Sequence, residues 1–271
     1  MRKIFCYALT LFLLIIVDNN FAEASYCNYG NAVFFGNGMF NEQSSADSSL
    51  RRLKRMMITA GELPDEEWTF ELSYNHNEGI YSLFEVYRQS MGDQAASFWR
   101  WLGSQDLAPE WFQNATHEIA ATYDVAEAII DADLNRHVQR YQSLLMEGNR
   151  VLVVAHSQGN LYANAAYTNL SQDNRIQISA FGVVSVATPA SRVAGGGPYF
   201  TLVNDIVIAA VESLFPGTLD PNVANIPDFA DWTNHSFIKS YLSGNKSGPM
   251  IVNGALSQAN SLSWPTPQIG S

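Results

Sequence analysis

Arg150-Val151-Leu152-Val153-Val154-Ala155-His156-Ser157-Gln158-Gly159-Asn160-Leu161-Tyr162-Ala163-Asn164-Ala165-Ala166-Tyr167 decides the architecture. Val151 to Val154 are apolar and mostly β-branched, the pattern of a short strand buried on both faces. Five residues of turn follow, and then an alanine-rich helix with Leu161, Ala165 and Ala166 at helical spacing. A serine stands at the apex of the turn. Strand and helix pack closely across so sharp a turn, so the positions two before and two after the serine must be small. They are Ala155 and Gly159.

A strand, a tight turn carrying serine and a helix together make a nucleophile elbow, in which the hydroxyl stands clear of the sheet at a helix N-terminus. Partial positive charge there favours an oxyanion, and the N–H of Gln158 is one expected donor. The plain alternative is a serine that merely caps a strand-to-helix turn.

Outward from that stretch, the rest of the chain reads as strands alternating with helices. Asn31 to Asn41 predicts a first strand and a glycine-bearing loop, where the backbone at Gly38 and Met39 is the candidate second oxyanion donor. Ser44 to Met57 predicts a helix with Leu50, Leu53 and Met57 on one face. Trp68 to Tyr74 alternates at period two and predicts a second strand, closed by Asn75-His76-Asn77-Glu78-Gly79. A further helix is expected from Ile80 to Tyr87.

Phe98-Trp99-Arg100-Trp101-Leu102 and Glu110-Trp111-Phe112 make an aromatic stretch that reads either as core cover or as an apolar wall or lid. Thr116 to Met146 predicts a long helix ended by Gly148-Asn149, with His117 and His137 facing solvent. After the elbow, Ile176 to Val186 predicts a third apolar strand. Arg192 to Pro198 predicts a glycine-rich surface loop, without the lysine and helix of a phosphate loop. Tyr199 to Asp205 predicts a strand ending in an acid, and Asp231 to Leu242 a loop feeding a helix. From about Ser243 the polar, glycine-rich sequence predicts a loosely packed tail. The expected architecture is α/β, a mainly parallel sheet with helices on both faces.

Composition sets bounds on partners. The 271 residues suit one large domain. A net charge of −11 leaves no basic patch to release counterions, which excludes nucleic acid as the expected partner. Met1-Arg2-Lys3, the apolar run Ile4 to Val17 and Ala22-Glu23-Ala24 predict a signal peptide at residues 1–24, cut after Ala24. The expected address is secreted or periplasmic, with one domain over residues 25–271. Cys6 leaves with the signal, so Cys27 has no partner for an internal disulfide.

Serine is a weak nucleophile near neutral pH and needs a base. The histidines are His76, His117, His137, His156 and His235, and only His235 lies well after Ser157. His156 is the serine's neighbour, and its side chain should diverge from the hydroxyl at the apex. His235 is therefore the candidate base. The orienting acid is Asp205 first and Asp231 second. Asp173 sits at the wrong edge, and Asp220 and Asp228 are weaker competitors. The histidines are too scattered for a metal site, and no cofactor is expected.

Ala155-His156-Ser157-Gln158-Gly159-Asn160, followed in order by Asp205 and His235, resembles the α/β-hydrolase superfamily near its lipase and esterase-like members. The resemblance runs from about Ala32 to Leu242. It implies a Ser-His-Asp triad and acyl-transfer chemistry on an ester, with a small molecule or a lipid as the expected substrate; transient contact with a membrane surface is a separate expectation, from the aromatic stretch. Ala155 in place of the first glycine, a missing His-Gly-Gly-Gly signature and a smaller sheet depart from the family pattern. Acyl transfer to an alcohol and a non-catalytic binding protein on the same scaffold are the alternatives.

Overall fold

The computed structural model describes residues 30–38, 42–64, 67–75, 110, 132–214, 217–224, 231, 233–243 and 247–266. Five parallel strands form one sheet in the order β2-β1-β3-β4-β5. They are β1 (Asn31–Gly36), β2 (Trp68–Ser73), β3 (Arg150–His156), β4 (Phe181–Val186) and β5 (Tyr199–Phe200). The α/β class with a parallel sheet is as the sequence predicts.

Alternate residues of the central strands feed two cores, as a period of two requires. Val33, Phe35, Leu152, Val154, Val184 and Val186 face one layer, packed with Leu53 and Met57 of α1 (Gln43–Gly61). Ala32, Phe34, Val151, Val153 and Val183 face the other. There Tyr141, Leu144 and Leu145 of α2 (Ala132–Met146) meet Ala163, Ala166 and Leu170 of α3 (Gly159–Ser171). Apolar residues on both faces of β3 are what the Val-Leu-Val-Val run demanded.

The remaining layer partner corrects the reading of the C-terminus. Residues beyond 243 do not form a loose polar tail: α5 (Ser247–Ser261) lies on the first face and buries Ile251, Val252, Ala255 and Ala259. Its buried stripe is real but made mostly of small residues. Gly248, Gly254 and the serines dilute it below what periodicity reveals. At Gly254 an added Cβ would stand 2.5 Å from the Phe200 ring, so the helix lies close over β5 because this position is bare.

Two strands are shorter than predicted. β4 begins at Phe181, not Ile176, because its partner β3 pairs only from Val151 onward; Ile178–Ala180 form a single 3₁₀ turn instead. β5 spans only Tyr199–Phe200, opposite Ser185 and Val186. β4 then turns away at Ala187, whose φ is 49°. The next residues pair with a returning segment, Val223 N–H donating to Thr201 and Val203 N–H to Val223.

His137 also differs from expectation. It is buried, with its Nε2 3.2 Å from the Tyr74 carbonyl and its ring beside Tyr141 and Tyr162. Helix α2 ends at Gly148 (φ 96°) and Asn149, as predicted, with Asn149 N–H donating to Leu144. Residues 1–29, among them the predicted signal peptide and Cys27, lie outside the described residues. So do Met39, His76, His117, Asp228 and, apart from Glu110, the tryptophan-rich 98–112 stretch.

In an open parallel sheet, ligands bind beyond the carboxyl ends of the strands where the strand order reverses. With β2 on one side of β1 and β3 on the other, that point lies between β1 and β3. The chains leaving these two strands carry Gly38 and Ser157. Their close approach depends on Gly159: a Cβ there would stand 2.5 Å from the Gly36 carbonyl oxygen and 2.9 Å from that of Asn37. Both obstacles are backbone. Gly159→Val is therefore expected to cost about 3 kcal/mol in denaturant unfolding. Ala155 is tolerated for the complementary reason, since it pairs with Gly36 across the sheet and their Cβ positions are 3.7 Å apart.

Candidate active site

Ser157 follows β3 directly and takes φ 54°, the left-handed backbone expected of a serine at the apex of an elbow. Such a conformation disfavours a residue with a Cβ and persists only where the surroundings enforce it. Here Ser157 N–H donates to the Val186 carbonyl (3.0 Å). The Asn160 side-chain amide then donates to the carbonyls of both Ser157 (2.8 Å) and Val186 (3.0 Å). Asn160, fully buried, staples the elbow to β4. Gln158 begins the helical backbone (φ −53°, ψ −30°), which sets its peptide at the N-terminus of α3.

The loop after β1 is held against the serine by a second pair of amides. Asn37 Nδ2 donates to the carbonyls of Gly38 (3.1 Å) and Asn75 (3.2 Å), and its Oδ1 accepts from the Asn75 N–H (2.8 Å). Asn75 Nδ2 returns a bond to the Asn37 carbonyl (2.9 Å). Both asparagines are fully buried. The exits of β1 and β2 are thus tied to each other by hydrogen bonds. A Cβ on Gly38 would lie 2.5 Å from Ser157 Cβ and 3.1 Å from its Oγ, so only glycine brings the main chain this near.

Asp205 is brought to the site differently from the prediction. It does not end a strand but caps the helix α4 (Ile206–Leu214): its Oδ1 accepts the N–H groups of Val207 and Ile208, each at 3.0 Å. The other carboxylate oxygen, Oδ2, accepts from His235 Nδ1 at 2.8 Å and from the Tyr241 hydroxyl at 2.6 Å. A carboxylate only accepts, so His235 carries its proton on Nδ1 and presents a lone pair on Nε2. That nitrogen is 3.0 Å from Ser157 Oγ. Ser157, His235 and Asp205, separated by 78 and 30 residues along the chain, are joined by hydrogen bonds.

The runner-up acid, Asp231, does other work. Its Oδ1 accepts from Thr233 N–H and hydroxyl, and its Oδ2 from Ser236 N–H (2.7 Å) and Ser240 hydroxyl (2.6 Å). Burial opposes its charge, but these hydrogen bonds outweigh burial and hold the carboxyl below the usual range. Asp231 therefore shapes the loop that carries His235, in which Asn234 adopts φ 53°.

Tyr241 and His156 are the site residues the sequence reading missed. Tyr241 is fully buried and accepts a bond from Leu202 N–H (3.1 Å) while donating to Asp205. Burial, and then the neighbouring Asp205 charge, push its hydroxyl well above the ordinary phenol range, so it stays a donor. Nothing in its sequence context distinguishes it from a core tyrosine. The His156 ring packs against the His235 ring at 4.9 Å between centroids.

Burial first, and the nearby His235 second, depress His156 well below the ordinary imidazole range. The unfolded chain takes up a proton at this residue below about pH 6.5, which the folded state refuses, so stability falls as pH drops through that value. In His156→Gln this contribution is expected to vanish. Denaturant unfolding below about pH 6 should show a pH slope shallower by up to about 1.4 kcal/mol per unit.

Compared with known proteins, the chain matches no family model, no curated protein and no solved structure. Among the described residues no group of histidine, cysteine and acidic side chains has the arrangement of a metal site. No described helix is long and apolar enough to cross a membrane.

Proposed function

We propose that this protein is an exported serine hydrolase of the α/β-hydrolase type, cleaving carboxylic esters through an acyl-enzyme on Ser157. One observation carries the reading: the hydrogen-bonded sequence from the Asp205 carboxylate through the His235 imidazole to the Ser157 hydroxyl, at 2.8 and 3.0 Å. These lengths are within reach for proton transfer without rearrangement. Export rests on the N-terminal basic and apolar pattern, and the substrate class on the resemblance of the elbow sequence to lipases and esterases.

In this mechanism His235 Nε2 takes the Ser157 proton as Oγ attacks the ester carbonyl. Negative charge gathers on the former carbonyl oxygen, facing the N–H of Gln158 at the helix N-terminus and the backbone at Gly38. The imidazolium then protonates the departing alcohol, leaving the acyl group on Ser157. Water gives a proton to the same nitrogen as its oxygen attacks the acyl carbon, and the imidazolium returns that proton to Ser157 Oγ as the acyl–serine bond breaks and the acid leaves. Asp205 stays ionised throughout, fixes the His235 tautomer and stabilises the imidazolium. Its charge is held by four donors, so little must reorganise as the neighbouring ring becomes positive. No step calls on a metal or cofactor.

A panel of p-nitrophenyl esters from acetyl to palmitoyl, offered to the protein lacking residues 1–24, tests the reading. Turnover of at least one chain length, with a burst of nitrophenol equal to the enzyme present, is the expected result. Absence of turnover across ester, thioester and aryl-amide panels contradicts it. A preference for long chains places the substrate among lipids.

A further inference from the structure

We propose that His156 is a positioning residue that locks the main chain of the base to the strand carrying the nucleophile. The inference rests on the hydrolase reading and deepens it. His156 ends β3, one peptide before Ser157, and is 2 % exposed. Its Nε2 lies 2.9 Å from the carbonyl oxygen of His235, 79 residues away. A carbonyl only accepts, so the His156 ring is the Nε2–H tautomer and donates.

The two hydrogen bonds between these strands of chain form a closed circuit. From Ser157 the path runs back one residue to His156, across to the His235 carbonyl, through the His235 side chain to Nε2, and returns to Ser157 Oγ. The distance between base and nucleophile is thereby tied to a short ring of atoms closed by two hydrogen bonds. It no longer depends on the whole Asp231–Ser236 loop holding its place.

Packing fixes the other faces of the His156 ring. Phe237 and Tyr241 stand 5.4 and 5.8 Å away between centroids, and His235 covers a further side. Among the described residues, the buried Nδ1 meets no hydrogen-bond partner. Leaving a buried nitrogen in that state costs stability. A purely structural aromatic such as phenylalanine fills the same space without that cost. The ring is therefore placed for what its other nitrogen does. A donor is needed at Nε2, and a second positive charge beside the His235 imidazolium is not: a neutral imidazole supplies the first without the second.

The test measures phosphonylation of Ser157 by a fluorophosphonate probe, which requires the activated serine but no knowledge of the substrate. Wild type is compared with His156→Leu, which fills space without a donor, and His156→Gln, whose Nε2 reaches the same carbonyl. The leucine variant should label about tenfold to a hundredfold more slowly, in the maximal rate rather than in probe affinity. The glutamine variant should stay within about threefold of wild type. Wild-type speed in the leucine variant overturns the proposal and leaves the hydrolase reading standing, as does equal slowing in both variants. A wild-type protein that never labels overturns the hydrolase reading itself.

Nitrogen-correlated spectra of ¹⁵N-histidine-labelled wild type give a second measurement, independent of whether the variants fold. A neutral Nε2–H pattern for His156 supports the assignment. An Nδ1–H pattern removes the donor and overturns it.

Discussion

Ser157→Ala is expected to lower ester turnover by about 10⁶-fold while leaving the fold intact. In the proposed mechanism the hydroxyl oxygen is the attacking atom, so its loss removes the covalent route altogether. The residue is 4 % exposed, and the bonds that hold the elbow use its backbone and Asn160 rather than its side chain. The left-handed backbone at 157 suits alanine no worse than serine. Denaturant unfolding should therefore shift by less than about 1 kcal/mol. A large loss of stability in the variant would show that the hydroxyl is a structural group.

Asp205→Asn has the second largest expected effect, a fall of about 10⁴ in kcat. An amide turns an NH₂ or a carbonyl toward His235, and only the carbonyl preserves the Nδ1–H tautomer. The two backbone donors at Oδ1 decide which, against the preference of the Tyr241 hydroxyl. That hydroxyl donates to Asp205 Oδ2 while it accepts from Leu202 N–H, and Val207 and Ile208 N–H groups fix an acceptor at Oδ1. With Oδ1 committed to two backbone donors, the NH₂ falls at the Oδ2 position. There it faces both the His235 ring and the Tyr241 hydroxyl. The imidazole is driven to carry its proton on Nε2, which then cannot accept from Ser157. Asparagine remains a good N-cap for α4, so stability should fall far less than activity. Steady-state kinetics beside denaturant unfolding separates the two. Equal retention of kcat would show that Asp205 only caps a helix.

How much of this was legible in the sequence depended on how local the signal was. The elbow was readable because its residues act on neighbours: a β-branched run, a serine at the apex, and glycine where the α3 backbone crosses β1. His235 is legible because it is the only histidine after Ser157. Asp205 was the preferred acid, but for a reason the structure replaces. The run Tyr199–Asp205 is apolar enough for a strand, yet β4 turns away at Ala187, so pairing with β4 stops at Phe200 and the residues beyond bond instead to the returning segment at Val223. The acid reaches the site as a helix cap.

What escaped was the chemistry of contacts between distant residues. Whether Asn37 and Asn75 meet, or whether Tyr241 lies beneath Asp205, is fixed by tertiary packing and leaves no periodic trace. Helix α5 escaped for another reason. Hydrophobic patterning weights large side chains, while Ala255 and Ala259 bury fully because the sheet approaches closely, not because they are strongly apolar.

The central claim is that Ser157 is an activated nucleophile in the folded protein. Peptide mapping after brief exposure to a fluorophosphonate tests it most directly. A single phosphonyl adduct on Ser157 is predicted, absent in His235→Ala and absent when the protein is unfolded before exposure. An intact native protein with no adduct at Ser157, or one labelled as fast without His235 as with it, contradicts the account.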